Sequence, residues 1–484
     1  APIAHEDHAQ RACYAALHLR DELRRYADEL RVERALNFSV RMGLNSGEVI
    51  VGTIGDDLRM DYTAQGHTVG LASRMEQLAE SGKVLLTEHT EKLVSGYLAL
   101  RDLGRSRVKG VSEPLGIFEL EGVGPLRTRL DVSRTRGFSR FVGRANEMAV
   151  LEGALERAHA GQGQVIGVVA EPGTGKSRLC YEFLQRCRSR GVDVYEAYAV
   201  PHGKAVPLLL ILELTRAYLG ISEQDSDRVA RDKAAGRLLQ MGEAFREALP
   251  LLFDFLGIAD PAQPAPTMDP EERERRIFAI TRQMYQMQTQ RQTTVNLFED
   301  LHWMDAGSAA FITNTAHMVG GLRMLMLVNF RPEYHADWMQ KSFYQQLAIL
   351  PLGREATDEL LDDLLGSDGA LAELRALIHE RSGGNPFFVE EIVQSLVEDG
   401  SLVGRRGAYR LLQPIQSLRV PASAPSWRGC SATRPRGSAS YARRSAYSPR
   451  WARRATWHAS SHCSSEPSSH LTIALATGTS ECIL

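Results

Sequence analysis

The sequence predicts an α/β chain: a parallel sheet with helices on both faces between residues 140 and about 350, followed by helices to about 420 and preceded by a smaller α+β part. Three observations carry this. Residues 165–169, 295–298 and 325–330 are short, uninterrupted apolar runs, the pattern of strands buried on both faces. The first of these runs leads through a glycine-rich loop into a helical pattern over 177–186. Helical spacing then dominates from about 355 to 400.

In chain order, the N-terminal part begins with a charged amphipathic helix whose apolar stripe is Cys13, Ala16, Leu17, Leu23, Ala27 and Leu30. Two strand-like runs follow at 38–44 and 48–53, joined by the turn-forming Asn45-Ser46-Gly47. A second helix is expected over 69–79 and another strand at 83–87. Residues 125–139, rich in Arg, Ser, Thr and Gly, read as a linker. The expected domains are thus 1–124, 140–350 and a helical 351–420, with a tail from 421.

The tail differs in composition. It holds 14 Ser, eight Arg and only two acids, Glu466 and Glu481, and three of the chain's five Trp. A basic disordered segment is one reading; the preferred one is a shifted reading frame in GC-rich DNA, which leaves residues without pattern. No function is assigned to it.

Across 484 residues, 43% apolar and 24% charged, the formal charge is −2, so no global field favours nucleic acid or an anionic membrane. The six cysteines form no CxxC pair, which fits a reducing compartment. Residues 1–35 do not read as a secretory leader, and no apolar run approaches the length of a membrane span. The expectation is a cytoplasmic protein.

The chemistry-bearing segment is Ala170-Glu171-Pro172-Gly173-Thr174-Gly175-Lys176-Ser177. A strand, a glycine loop, Lys-Ser and a helix in that order form a phosphate-binding P-loop. The glycines let backbone N–H groups turn toward phosphate, and the helix N-terminus adds partial positive charge. Lys176 is expected to reach the β- and γ-phosphates of ATP, and the Ser177 hydroxyl to ligate Mg2+. Ala170 stands where the motif normally opens with Gly. A second motif, Val295-Asn296-Leu297-Phe298-Glu299-Asp300, is an apolar strand ending in two acids. One acid would hold Mg2+ and the other would orient or deprotonate the attacking water. The sequence leaves open which does which.

These motifs and their flanks resemble the AAA-related signalling ATPases of the STAND class over about 138–420. Phe141-Val142-Gly143-Arg144 is similar to the box that touches the nucleotide base. Glu299-Asp300-Leu301-His302-Trp303-Met304-Asp305 is similar to their extension of the acidic strand end. The resemblance implies a γ-phosphate sensor at Arg331 in Asn329-Phe330-Arg331-Pro332-Glu333. It also implies an adenine contact at Pro386 in the lid turn Gly383-Gly384-Asn385-Pro386.

Residues 1–124 resemble the C-terminal portion of a class III adenylate or guanylate cyclase catalytic domain. The matching stretches are Arg41-Met42-Gly43-Leu44-Asn45-Ser46-Gly47-Glu48-Val49, Gly52-Thr53-Ile54-Gly55, Met60-Asp61-Tyr62-Thr63, Gly66-His67-Thr68-Val69-Gly70-Leu71-Ala72-Ser73-Arg74 and Val108-Lys109-Gly110. The resemblance implies a partial ferredoxin-like α+β fold and a dimer-interface active site. Arg74 would be the transition-state arginine, Lys109 a phosphate contact and Thr63 a base-selecting residue. Gly70 occupies the catalytic asparagine's position and offers no side-chain donor. The family's two metal-binding aspartates fall before residue 1, and Asp7, Asp56, Asp57 and Asp61 do not match them.

The expected protein is therefore a truncated signalling ATPase that binds and slowly hydrolyses ATP as a switch. It is coupled to a cyclase remnant and forms a homodimer or higher oligomer through the two domains. The alternatives are a functional adenylate cyclase regulated by the ATPase domain, and a transcription regulator, which would need a helix-turn-helix near the C-terminus. A small-molecule kinase fits the His302-Trp303 extension and the Pro386 turn less well.

Overall fold

The structure is a computed structural model. It describes residues 8–412, apart from 35, 37, 48–49, 55–60, 66, 110, 112, 125, 127, 200–206 and 223, together with 469–477. The chain divides into two compact units: residues 1–127 with 424–484, and residues 128–423.

The first unit is α+β. Its elements are α1 (His8–Arg34), β1 (Phe38–Ser46), β2 (Ile50–Ile54), β3 (Asp61–Gln65), α2 (His67–Leu78), β4 (Val84–Thr87), α3 (Glu88–Val94), β5 (Leu98–Ser106) and β6 (Leu115–Val123). β1, β4, β6 and β5 are neighbours in one sheet, with β1 parallel to β4 and the other two pairs antiparallel. Helix α2 lies directly on β1, and Gly43 makes this possible. A Cβ there would stand 2.2 Å from the Ala72 carbonyl oxygen and 2.2 Å from the Glu76 nitrogen. Of the apolar stripe expected on α1, Cys13, Ala16 and Leu17 are buried, whereas Leu23, Ala27 and Leu30 are only half-buried.

β2 pairs antiparallel with β3, Thr53 opposite Tyr62, while residues 48 and 49 of the expected strand lie outside the described residues. One local expectation is corrected. Asn45 and Ser46 form no turn but end β1, both buried. Their polar groups are satisfied by distant partners, which overrides local turn propensity. Asn45 Nδ2 donates to the Thr68 carbonyl (3.0 Å), Thr87 Oγ1 donates to Asn45 Oδ1 (2.7 Å), and the Ser46 N–H donates to Thr90 Oγ1 (2.9 Å).

Most of 421–484 lies outside the described residues. The described part is not without structure as expected: Ser469–Thr477 is a strand parallel to β1, with Met42 opposite Ile473. The segment His-Leu-Thr-Ile-Ala-Leu-Ala-Thr supplies the β-branched and apolar residues that a strand needs.

The second unit begins within the expected linker, where α4 (Arg129–Arg136) is held by a capping box of Thr128 and Asp131. It continues through α5 (Ala145–His159), β7 (Gln164–Val169), α6 (Lys176–Ser189) and β8 (Asp193–Tyr198). Four helices follow that the sequence reading did not place: α7 (Leu209–Leu219), α8 (Asp227–Met241), α9 (Leu249–Phe255) and α10 (Pro270–Arg291). Then come β9 (Thr294–Glu299), α11 (Ala306–Val319), β10 (Met324–Phe330) and β11 (Tyr344–Ala348). The sheet is parallel throughout, in the order β11-β7-β10-β9-β8. It is covered on both faces, so β9 and β10 are buried along their whole length.

The chain closes with α12 (Arg354–Leu365), α13 (Ala372–Ser382), α14 (Pro386–Glu398) and a small hairpin, β12 (Leu402–Arg405) and β13 (Ala408–Leu411). These elements share a core of their own, including Leu360, Leu361, Leu374, Ile378, Val389 and Leu396. Among the described residues, no helix is long and apolar enough to cross a membrane.

Candidate nucleotide site

The glycine loop runs from the end of β7 to the start of α6. Gly173 and Gly175 have φ of 78° and 98°, the left-handed region that favours glycine. Ala170, the departure from the usual opening Gly, is buried and belongs to the same apolar cluster as Leu179 and Cys180. Thr174 Oγ1 donates to the Glu171 carbonyl (2.7 Å) and pins the loop. Lys176 is buried, and its Nζ donates to the carbonyls of Ala170 (2.7 Å) and Glu171 (3.2 Å).

β9 brings its two acids to the same end of the sheet. Glu299 is buried and accepts a hydrogen bond from the Ser177 side chain. Burial, reinforced by the neighbouring Asp300 charge and opposed by the Ser177 hydrogen bond, pushes the Glu299 carboxyl up to about 8. Asp300 departs from the strand in a left-handed conformation (φ 56°), and its side chain is partly exposed. Its N–H donates to Asn329 Oδ1 at 2.7 Å, and Asn329 on β10 is fully buried. Asn329 was missed by the sequence reading; an amide at the end of an otherwise apolar strand was the available signal. Arg331 follows β10, its guanidinium 5.8 Å from the centre of the Trp303 ring.

Lys176, Ser177, Glu299 and Asp300 are therefore gathered where β7 and β9 end. The outer residues frame the loop. Arg144 is buried and gives its donors to protein: to the Thr174 carbonyl (3.0 Å), the Leu350 carbonyl (2.8 Å) and Glu147 (3.0 Å). Gly143 (φ 66°) packs so closely that a Cβ would stand 2.4 Å from that of Ala356. Pro386 opens α14 with its Cγ 3.9 Å from where a Cβ on Gly175 would stand. Asn385 caps that helix and also reaches the loop, Nδ2 donating to the Pro172 carbonyl (3.0 Å).

The loop fits a nucleotide phosphate, because Gly173 and Gly175 both hold positive φ and a Cβ on Gly173 would stand 2.8 Å from Asn385 Oδ1. The meeting of a serine hydroxyl with a carboxyl fits the oxygen donors that Mg2+ prefers.

In the first unit, Arg74 sits half-exposed on α2 and donates to Gln77 one turn along its own helix (2.7 Å). Lys109 is exposed beyond β5. Thr63 lies on β3 opposite Gly52. Gly70 is exposed on α2 with open space where a Cβ would be. Among the described residues, no three His, Cys, Asp or Glu side chains are grouped to hold a metal.

Comparison with known families agrees with this division. Residues 140–328 match the AAA ATPase domain, and residues 2–122 match the adenylate and guanylate cyclase catalytic domain. The chain joins a cyclase-type domain to an AAA-type ATPase domain. Residues 353–401, within the helical bundle that follows the ATPase sheet, match a domain of unknown function. An uncharacterized protein of Rhizobium meliloti is 26% identical over 370 residues, 74% of this chain and 35% of that protein. Adenylate cyclase 1 of the same organism is 34% identical over 125 residues, 25% of this chain and 19% of its own length. The chain thus spans about a third and a fifth of these two curated relatives. The adenylyl cyclase CyaB from P. aeruginosa is 32% identical, with a TM-score of 0.21, over 23% of this chain and 57% of that one.

Proposed function

We propose that the AAA-type domain binds Mg·ATP at the 170–177 loop, hydrolyses it slowly, and works as a regulatory switch on the attached cyclase-type domain. The observation that carries the reading is the junction of Ser177 with Glu299 beside a glycine cradle. The backbone of Gly173, Thr174 and Gly175 binds the phosphates, and Lys176 exchanges its carbonyl partners for phosphate oxygens. Ser177 and Glu299 would hold the metal. When bound, Mg2+ neutralises charge on the terminal phosphates. The more exposed Asp300, its backbone fixed by Asn329, orients the attacking water. Arg331 answers to the γ-phosphate, and Gly143 and Pro386 border the base. Arg144 acts through the loop it braces rather than on the base.

The cyclase-type domain is proposed to have little or no cyclase activity in this chain, since Gly70 cannot supply the hydrogen bond of the family's asparagine. Arg74 and Lys109 stay assigned to phosphate contacts there only by resemblance. The test is a product chromatogram from labelled ATP with Mg2+ or Mn2+. ADP without cyclic AMP, lost in Lys176→Ala, supports the proposal. Cyclic AMP as the main product, or nucleotide binding unchanged in Lys176→Ala, overturns it.

A further inference from the structure

Residues 137–142 lead from α4 into the ATPase-type domain, yet they are fastened chiefly to the helical lid. The Arg140 N–H donates to Asp363 Oδ2 on α12 at 2.9 Å. The Ser139 hydroxyl donates to Glu390 on α14. Arg406, in the turn between β12 and β13, pairs with Asp363 and donates to the Gly137 carbonyl at 3.2 Å. Val142 belongs to the lid's own core, with Leu352, Leu360 and Val389.

The same segment touches the helix of the phosphate loop. Arg178, adjacent to Ser177, donates to the Ser139 carbonyl at 2.9 Å and lies 4.0 Å from the centre of the Phe138 ring. Phe138 in turn meets Tyr181 edge-on at 5.1 Å. The lid closes the circuit, since the Phe387 N–H donates to the Gly173 carbonyl (3.3 Å) beside the Asn385–Pro172 bond. A lid that moves away from the loop must either carry 137–142 with it or break three polar contacts and expose Val142. Carrying the segment keeps those contacts and strains instead the Arg178–Ser139 and Phe138–Tyr181 contacts to α6.

We propose that residues 137–142 are a tether that follows the lid, so that occupancy of the phosphate site is conveyed along the chain to α4 and the residues before it. This rests on the switch reading above and specifies its output: the signal leaves through the segment that enters the domain.

The test is hydrogen exchange of the full chain over residues 128–142, without nucleotide and with Mg·ADP or a slowly hydrolysed ATP analogue. Nucleotide affinity is measured in parallel. In the wild type, exchange in this segment should change by roughly tenfold between states. In Asp363→Ala with Glu390→Ala, which removes both acceptors, that difference should disappear while affinity stays within about threefold, because neither carboxylate bonds to the phosphate loop. Arg406→Ala, on an exposed turn, removes the contact to Gly137 and the ion pair that holds Asp363 without entering the lid core, and serves if the double variant does not fold. Nucleotide binding with no exchange change in the wild type overturns the tether alone, as does a variant that keeps the full difference. A wild-type chain that binds no nucleotide overturns the switch reading, and the tether with it.

Discussion

Glu299 is a buried acid whose carboxyl is held near 8, against 4.5 when unperturbed, and Glu299→Gln tests that directly. Below pH 4.5 the side chain is neutral in both folded and unfolded chains and the burial costs nothing electrostatic. As pH rises above 4.5 the unfolded chain ionises while the folded one keeps its proton. Stability is therefore lost progressively until about pH 8, where both forms are charged. Within that window the slope is about 1.4 kcal/mol per pH unit, so from pH 6.0 to 7.5 the metal-free domain should lose about 2 kcal/mol through this one group. The glutamine is nearly isosteric, can still accept from Ser177, and does not ionise. Urea unfolding followed by the fluorescence of Trp303 and Trp338, both in the second unit, in a background with Trp427, Trp451 and Trp457 changed to Phe, reads the relevant transition. The quantity to compare is the wild-type minus variant difference at each pH, which cancels the histidines and every other group. That difference should move by about 2 kcal/mol against the wild type between pH 6.0 and 7.5. A metal held beside the same carboxyl favours its charged form, so Mg·ATP binding should release close to one proton at pH 7 and strengthen toward pH 8. Parallel stability curves for the two chains, with no proton release, would refute the account of Glu299 as a desolvated acid waiting for a cation.

Two further outcomes follow from the geometry. Asn329→Ala removes the acceptor for the Asp300 N–H and should lower the hydrolysis rate at least tenfold while changing nucleotide affinity less than threefold, as steady-state rates and direct binding will show. Gly70→Ala adds a methyl to an exposed helical position with open space around it; thermal unfolding of the first unit should rise, by an amount equivalent to about 1 kcal/mol or less, with ADP formation unchanged.

What the sequence disclosed and what it hid divide along a physical line. The strands 164–169, 294–299 and 324–330 were legible because a parallel sheet covered on both faces demands continuous apolar runs. The loop was legible because positive φ at Gly173 and Gly175 leaves few alternatives to glycine. Helix α10 escaped notice although Asp269 caps it and Pro270 opens it. Its buried residues, Ile277, Thr281, Met284, Tyr285 and Gln288, are too mixed in polarity to stand out among the charges. The turn expected at Asn45-Ser46-Gly47 failed for a different reason. Local propensity favours a turn there, but Thr68, Thr87 and Thr90 satisfy those polar groups within a strand. Arg144 shows the same limit at the site: its type and position suggest a nucleotide contact, while its partners, Thr174 and Leu350, are fixed only by the fold.

Those partners also explain how the lid and the phosphate loop depend on each other. Every carbonyl from 170 to 174 has a donor: Lys176 for Ala170 and Glu171, Asn385 for Pro172, Phe387 for Gly173 and Arg144 for Thr174. In a trans peptide unit the C=O and the following N–H point in opposite directions, so holding the Pro172, Gly173 and Thr174 carbonyls through Asn385, Phe387 and Arg144 fixes the direction of the N–H groups that follow them. Lys176 and Thr174, which also donates to the Glu171 carbonyl, belong to the loop. Two of the remaining three donors come from the start of α14, and Arg144 also reaches the Leu350 carbonyl just before the lid. A displaced lid would leave the Pro172 and Gly173 carbonyls free to rotate inward, where they would oppose phosphate. On the proposed reading, nucleotide binding and lid closure would be one linked equilibrium, so that whatever shifts the lid would shift affinity by the same free energy.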